Sequence, residues 1–208
     1  TPKAFIGYSD ITAILSYLTT HCGMVAFHGP MLDRRLSRGA AGYDRSSFER
    51  ALCHQAPMGE LAPADLDTLV AGQAAGPLLG GTLTQLLASL GTPYAFDPPA
   101  GHILFIEEVG ERPYRLDRMV TQLRQAGVLA RAAAVVIGEL PACDEPSGEV
   151  TGRGVMRALF DGFPGPVVVG LPSGHTSGPA MTVPLGVRCR LEAGTGHARL
   201  IVEEGAVV

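Results

Sequence analysis

His102-Ile-Leu-Phe-Ile-Glu-Glu-Val109 and Ala133-Ala-Val-Val-Ile-Gly138, with a helical pattern between them, decide the fold class. The first run is apolar until it closes on two acids. The second is apolar throughout, as a strand covered on both faces must be. Between them Leu116, Met119, Val120 and Leu123 recur at helical spacing over residues 113–126, and Gly127 follows as a natural stop. Strand, helix and strand in this order predict an α/β chain.

The same reading extends outward. Residues 3–7 predict a short strand ending in Gly7. Residues 10–22 predict a helix through Ile11, Ile14, Leu15 and Leu18, closed by Gly23. Met24–Phe27 predicts a second strand leading into His28-Gly29-Pro30, and residues 44–54 another helix. Later come helices over Leu83–Leu90 and 153–160 and an apolar strand over Pro166–Gly170. Val187–Leu191 and His197–Val202 flank Ala193-Gly-Thr-Gly196 and read as an antiparallel hairpin. Residues 55–80 are rich in Gly, Pro and Ala, with one strand expected around Asp67–Ala71. Net charge also changes here, from +2 over residues 1–58 to −6 over 59–208. The expected organisation is a first segment over 1–58, a linker over 59–78 and a second domain over 79–208.

The chain has 208 residues, 46% of them hydrophobic and 17% charged, enough for a sizeable core. Its net charge of −4 argues against retention on nucleic acid by bulk positive charge. No apolar run approaches the ~18 residues of a membrane span. Neither nucleic acid nor a membrane is therefore expected as a partner. Cys22, Cys53, Cys143 and Cys189 form no Cys-x-x-Cys, so no metal is expected, and sparse reduced cysteine points to the cytoplasm. Thr1 leads directly into Ala4-Phe5-Ile6, which reads as a chain beginning inside a longer unit.

Gly7-Tyr8-Ser9-Asp10 passes from strand to helix through a Ser. Such a turn holds a hydroxyl clear of the sheet beside the free N–H groups of a helix start, which suits a nucleophile. The plain alternative is that Ser9 or Asp10 caps the helix. A hydroxyl nucleophile needs a base and an orienting acid. His175, in a Gly/Pro-rich loop after the strand at 166–170, is the first choice of base, and His28 the second. His21, His54, His102 and His197 lie in helix or strand patterns and read as surface or core residues. Glu107 and Glu108 are the candidate acids. Alternation puts Glu107 with Ile103 and Phe105, and Glu108 with Leu104 and Ile106, without choosing between them.

Taken together, these segments resemble the LD-carboxypeptidases, a family of serine peptidases that includes muramoyltetrapeptide carboxypeptidase and the microcin-immunity peptidase. The resemblance runs through Lys3-Ala-Phe-Ile-Gly-Tyr-Ser-Asp-Ile-Thr12, Phe27-His-Gly-Pro30, Gly80-Gly81, Gly91-Thr-Pro-Tyr94, Ile103–Glu108, Asp117-Arg118, Gly170-Leu-Pro-Ser-Gly-His175 and Pro184-Leu-Gly-Val187. It implies Ser9 as nucleophile, Glu107 as triad acid and His175 as base. The 68-residue separation of Glu107 and His175 matches the family and selects Glu107 over Glu108. The Asp10 backbone N–H becomes one oxyanion donor. His28, Gly81 and Thr82 become substrate contacts, although relatives often carry Asn where this chain has Thr82. The implied fold is the C-terminal portion of a Rossmann-like N-terminal domain followed by a smaller α/β domain with a mixed sheet. Most of the first domain, with the second oxyanion donor, is then expected upstream of residue 1.

The implied reaction is hydrolysis of the L,D-amide that releases D-Ala from murein tetrapeptides in peptidoglycan recycling. The implied protein is a homodimer without cofactor. Two alternatives stand beside it: a related hydrolase cleaving a peptidyl or aminoacyl nucleotide, and a non-catalytic fragment. The cluster Arg34, Arg35, Arg38 and Arg45 favours an anionic ligand, or is simply a solvated surface.

Overall fold

A run of Ile, Leu and Phe is stable as a strand when both its faces are covered. In the computed structural model, which describes residues 3–208, all six residues of His102–Glu107 are buried. Thr1 and Pro2, where the first expected segment begins, lie outside the described residues. The strands are β1 (Ile6–Gly7), β2 (Ala26–His28), β3 (Gly59–Leu61), β4 (Asp67–Val70), β5 (Gly72–Thr82), β6 (His102–Glu107), β7 (Ala132–Gly138), β8 (Val167–Leu171), β9 (Val183–Leu185), β10 (Arg188–Gly194) and β11 (His197–Val202). The helices are α1 (Thr12–Thr20), α2 (Arg45–Cys53), α3 (Leu83–Ser89), α4 (Pro113–Gln125), α5 (Val128–Arg131) and α6 (Gly152–Leu159). Two 3-10 turns, Ser9–Ile11 and Leu36–Ala41, complete the order.

The larger sheet runs β3-β11-β10-β5-β6-β7-β8-β4 and the smaller β1-β2-β9. β5 to β8 are parallel, and the strands flanking them pair antiparallel. β10 and β11 form the expected hairpin, in register from Cys189↔Val202 to Gly194↔His197. The α/β class with a mixed sheet is therefore observed.

Alternation along β6 divides the interior. Ile103 and Phe105 pack with Leu78, Val136, Phe27 and Val183. Leu104 and Ile106 pack with Leu83 of α3, Leu116 and Val120 of α4, and Met156 of α6. On α4, Leu116, Val120 and Leu123 are wholly buried, each stabilising by roughly 1.5–3 kcal/mol. Pro113 starts that helix, where its missing N–H is harmless, and Gly127 stops it at φ 76.

The stretch 59–78 differs from its expectation. It is not a linker: it holds β3, β4 and the first part of β5, the strand expected near 67–71 being β4. The glycines of β5 mark close approach, not looseness. A Cβ at Gly76 would lie 1.9 Å from the Gly101 carbonyl oxygen, and one at Gly80 1.8 Å from that of Phe105. Strand β9 was also not anticipated. It carries Pro184 and is an edge strand, where a missing donor is tolerated. By pairing with β2 it ties the second expected segment to the first.

Candidate active site

The site starts where β1 ends. The chain leaves Gly7, turns through Tyr8 and enters the 3-10 turn at Ser9. Ser9 has φ 60, a left-handed conformation that costs a residue with a Cβ on the order of 1–3 kcal/mol. Its surroundings hold it there. A Cβ at Gly7 would meet Ile11 Cγ2 at 2.6 Å, so only glycine permits this tight passage. The Ser9 N–H donates to Thr82 Oγ1 at 3.0 Å. The capping alternative is not what the geometry holds: Tyr8 occupies the cap position, with no side-chain cap bond. The Asp10 carboxylate instead accepts from Gln85 Nε2 at 2.6 Å, and its N–H lies in the first turn after Ser9.

Glu107, at the last position of β6, points toward this turn. Its register partner on β5 is Thr82, and the Thr82 hydroxyl donates a short hydrogen bond to Glu107 Oε1. Glu107 Oε2 accepts twice from His175, from the backbone N–H at 2.9 Å and from Nδ1 at 2.9 Å. With Nδ1 so engaged, Nε2 is the ring nitrogen left for proton transfer. The Tyr8 ring meets the His175 ring edge-on at 5.0 Å. Burial alone would raise the Glu107 carboxyl. The His175 hydrogen bond, the nearby His28 and His175 rings and the Thr82 hydroxyl outweigh it and hold the group below its ordinary value.

Glu108 faces the opposite way. It is buried and accepts from the Thr84 N–H at 2.9 Å and the Thr84 hydroxyl at 2.6 Å, satisfying the start of α3. The acid that meets the histidine is Glu107.

The three residues expected as substrate contacts, His28, Gly81 and Thr82, are buried. His28 is wholly buried, with Nδ1 3.0 Å from Ser173 Oγ and Nε2 3.8 Å from Glu107 Oε1. Burial lowers its pKa to about 4, with the Glu107 charge opposing and His175 assisting, so His28 is neutral near pH 7. Gly81 is covered by Thr12, whose Cγ2 would lie 2.6 Å from an added Cβ. Thr82 is 3% exposed; its hydroxyl links Ser9 to Glu107, and its N–H donates to Thr12 Oγ1 at 3.1 Å. All three residues expected as substrate contacts are buried, packed behind Ser9, Thr12 and Glu107.

Ser9 and His175 line one cleft of about 400 Å³, together with Tyr8, Asp10, Met31 and Arg34. The four arginines read as one basic cluster have different fates. Arg45 pairs with Glu49 at 2.6 Å. Arg35 reaches across to the His175 loop, donating to the carbonyls of Gly178 (2.8 Å), Thr176 (2.7 Å) and Gly174 (3.1 Å). Arg34 faces the cleft, and Arg38 is exposed elsewhere. Sequence reasoning missed the Arg35 clamp and the Ser173–His28 bond. Ser173 at least stands within Leu-Pro-Ser-Gly-His, whereas nothing local marks a partner 139 residues away. Among the described residues, no group of three His, Cys, Asp or Glu side chains converges as a metal site. All four cysteines are free thiols, Cys22 and Cys53 exposed. No helix among the described residues is long and apolar enough to cross a membrane.

The family model for the LD-carboxypeptidase C-terminal domain matches residues 75–191, and that for the LD-carboxypeptidase N-terminal domain matches residues 1–29. A relative from Streptomyces coelicolor that carries a carboxypeptidase name is 39% identical over 207 residues, 96% of this chain and 62% of the relative. The probable murein peptide carboxypeptidase of Bacillus subtilis is 34% identical over 212 residues, 98% of this chain and 64% of the relative. The chain thus spans less than two thirds of the length of these relatives. Among solved structures, muramoyltetrapeptide carboxypeptidase from Oxalobacter formigenes superposes with a TM-score of 0.81 at 31% identity, covering 98% of this chain and 69% of the other. The microcin C7 self-immunity protein MccF superposes with a TM-score of 0.85 at 22% identity, over 100% of this chain and 69% of the other, a likeness of fold.

Proposed function

This chain belongs to the LD-carboxypeptidase family, and on that premise we propose that it is a serine carboxypeptidase that removes a C-terminal D-amino acid, D-Ala, from murein tetrapeptides in peptidoglycan recycling. The observation that carries the reading is the chain of bonds joining Ser9 N–H to Thr82, Thr82 to Glu107, and Glu107 to His175. It ties a Ser in a left-handed turn to an acid–imidazole pair.

In this mechanism Ser9 Oγ attacks the carbonyl carbon of the L,D-amide while His175 Nε2 takes its proton. Glu107 holds the imidazole tautomer and stabilises the imidazolium. The Asp10 N–H stabilises the oxyanion, assisted by the dipole of the following helix. Collapse breaks the C–N bond, and His175 returns the proton to the leaving amine of D-Ala. Water, activated by His175, then cleaves the acyl-Ser9 ester.

The test is D-Ala release from a murein tetrapeptide by the full-length protein. Ser9→Ala should abolish release, Glu107→Ala should lower the rate by about 10²–10⁴, and Glu108→Ala should be much milder. An inactive Glu108→Ala beside an active Glu107→Ala would shift the acid by one residue and sink the assignment. Running an aminoacyl-nucleotide amide in parallel tests the runner-up substrate. We further infer a cytoplasmic homodimer: sparse free cysteine supports the compartment and family resemblance the dimer, to be checked by fractionation and light scattering.

A further inference from the structure

We propose that Arg34 anchors the free C-terminal carboxylate of the peptide, at an offset from His175 that Arg35 fixes. The inference rests on the carboxypeptidase reading above and names a contact that reading lacks. An enzyme that trims one residue from a chain end has to recognise that end. A carboxylate entering a partly dehydrated cleft needs a cationic partner, and the arginine fork matches its geometry.

The distribution of cations around the cleft singles out Arg34. Arg35 spends its guanidinium on backbone carbonyls of the His175 loop, and Arg45 is paired with Glu49. Arg34 is exposed, lines the cleft with Ser9 and His175, and makes no hydrogen bond or ion pair within the described residues. The one carboxylate lining the same cleft, that of Asp10, is engaged by Gln85 and so is drawn toward α3.

Position follows from the neighbouring residue. Met31 to Leu36 form a turn closed by Arg35 N–H and Leu36 N–H on the Met31 carbonyl, at 3.2 and 3.0 Å. Arg35 then fastens that turn to Gly174, Thr176 and Gly178, the residues around His175. The turn bearing Arg34 and the loop bearing His175 therefore form one unit. A carboxylate held by Arg34 sits at a set distance from the imidazole, which limits cleavage to the last peptide bond.

The experiment compares the murein tetrapeptide with the same peptide ending in a primary amide. Calorimetric binding to the Ser9→Ala protein should favour the free acid by about tenfold or more. Adding Arg34→Ala should weaken acid binding by about 10–100-fold and leave amide binding unchanged, with Arg34→Lys retaining part of the preference. Arg38→Ala, outside the cleft, should leave the ratio untouched. An acid-to-amide ratio that is the same with and without Arg34, or no preference for the acid at all, overturns the inference. Hydrolysis with Ser9 intact separates the two readings. If D-Ala is released equally well by the Arg34→Ala variant, the carboxylate anchor fails and the reaction stands. If acid binding depends on Arg34 but no D-Ala is ever released, the anchor stands and the reaction fails.

Discussion

Acidification should weaken the fold through His28. This ring is wholly buried between Ser173 and Glu107, and its pKa falls from an ordinary 6.5 to about 4. The unfolded chain binds a proton on this residue below pH 6.5, while the folded chain resists until about pH 4. A depressed histidine thus supports the fold fully above the unfolded value and withdraws that support as pH falls between the two. Linkage over this window gives a loss of roughly 2–3 kcal/mol between pH ~7.5 and ~4.5, flattening below pH ~4. Glu107 acts later, because its own pKa is held below the ordinary carboxylate range. His102, also lowered by burial, adds a contribution of the same sign. The measurement is therefore a difference. Urea unfolding is followed at pH ~7.5 and ~4.5 for the native protein and for His28→Asn, which keeps a polar atom near Ser173 but cannot titrate. The variant should start less stable at neutral pH and lose less on acidification, by roughly 2–3 kcal/mol. Equal losses in the two proteins would show that His28 is not the neutral buried group argued here.

Thr82→Val strips the hydroxyl between Ser9 and Glu107 and leaves both without that partner. It should destabilise by roughly 1–3 kcal/mol in thermal unfolding and cut kcat at least tenfold, with Thr82→Ser restoring both, since it retains the bridging oxygen. Arg35→Ala removes the clamp on Gly174, Thr176 and Gly178. It should speed amide hydrogen exchange across residues 174–178 and lower kcat/KM by roughly tenfold, and unchanged exchange there would mean that the loop holds itself.

The central sheet was legible because its strands are apolar runs set between helical periods, and the physics of covering two faces leaves little choice for Ile103–Ile106 or Val135–Ile137. The Ser9 turn was legible for a related reason: Gly, then Ser, then a helix start is a local signature. What escaped was non-local. β5 looked like a linker because its glycines answer to Gly101, just before the neighbouring strand, and to Phe105 within it, not to the residues beside them. β9 was hidden by Pro184, which is harmless only because the strand lies on an edge. His28 was read as a contact because His-Gly-Pro at a strand end resembles a site, while its burial depends on Ser173 and Phe105 from distant segments. The arginine cluster could not be divided without knowing which carbonyls lie opposite Arg35.

The pairing of β5 with β6 explains why the two halves of the site depend on each other. In this parallel register Thr82 stands beside Glu107, and Gly81 beside Ile106. One residue of slip would turn Glu107 toward the α3 and α4 side and bring Glu108 to the Ser9 side. Apolar packing forbids the slip, since Ile103 and Phe105 would exchange places with Leu104 and Ile106 between two differently shaped cores. The same register sets Gly81 under Thr12, so that α1 can lie close enough for the Ser9 N–H to reach Thr82. Glu107 and His175 are joined directly, by two bonds from His175 to Glu107 Oε2. Ser9 joins them through one hydroxyl, that of Thr82. The position of Ser9 relative to Glu107 is thus a consequence of strand pairing, and the strain of the Ser9 left-handed backbone is carried by contacts from another part of the chain.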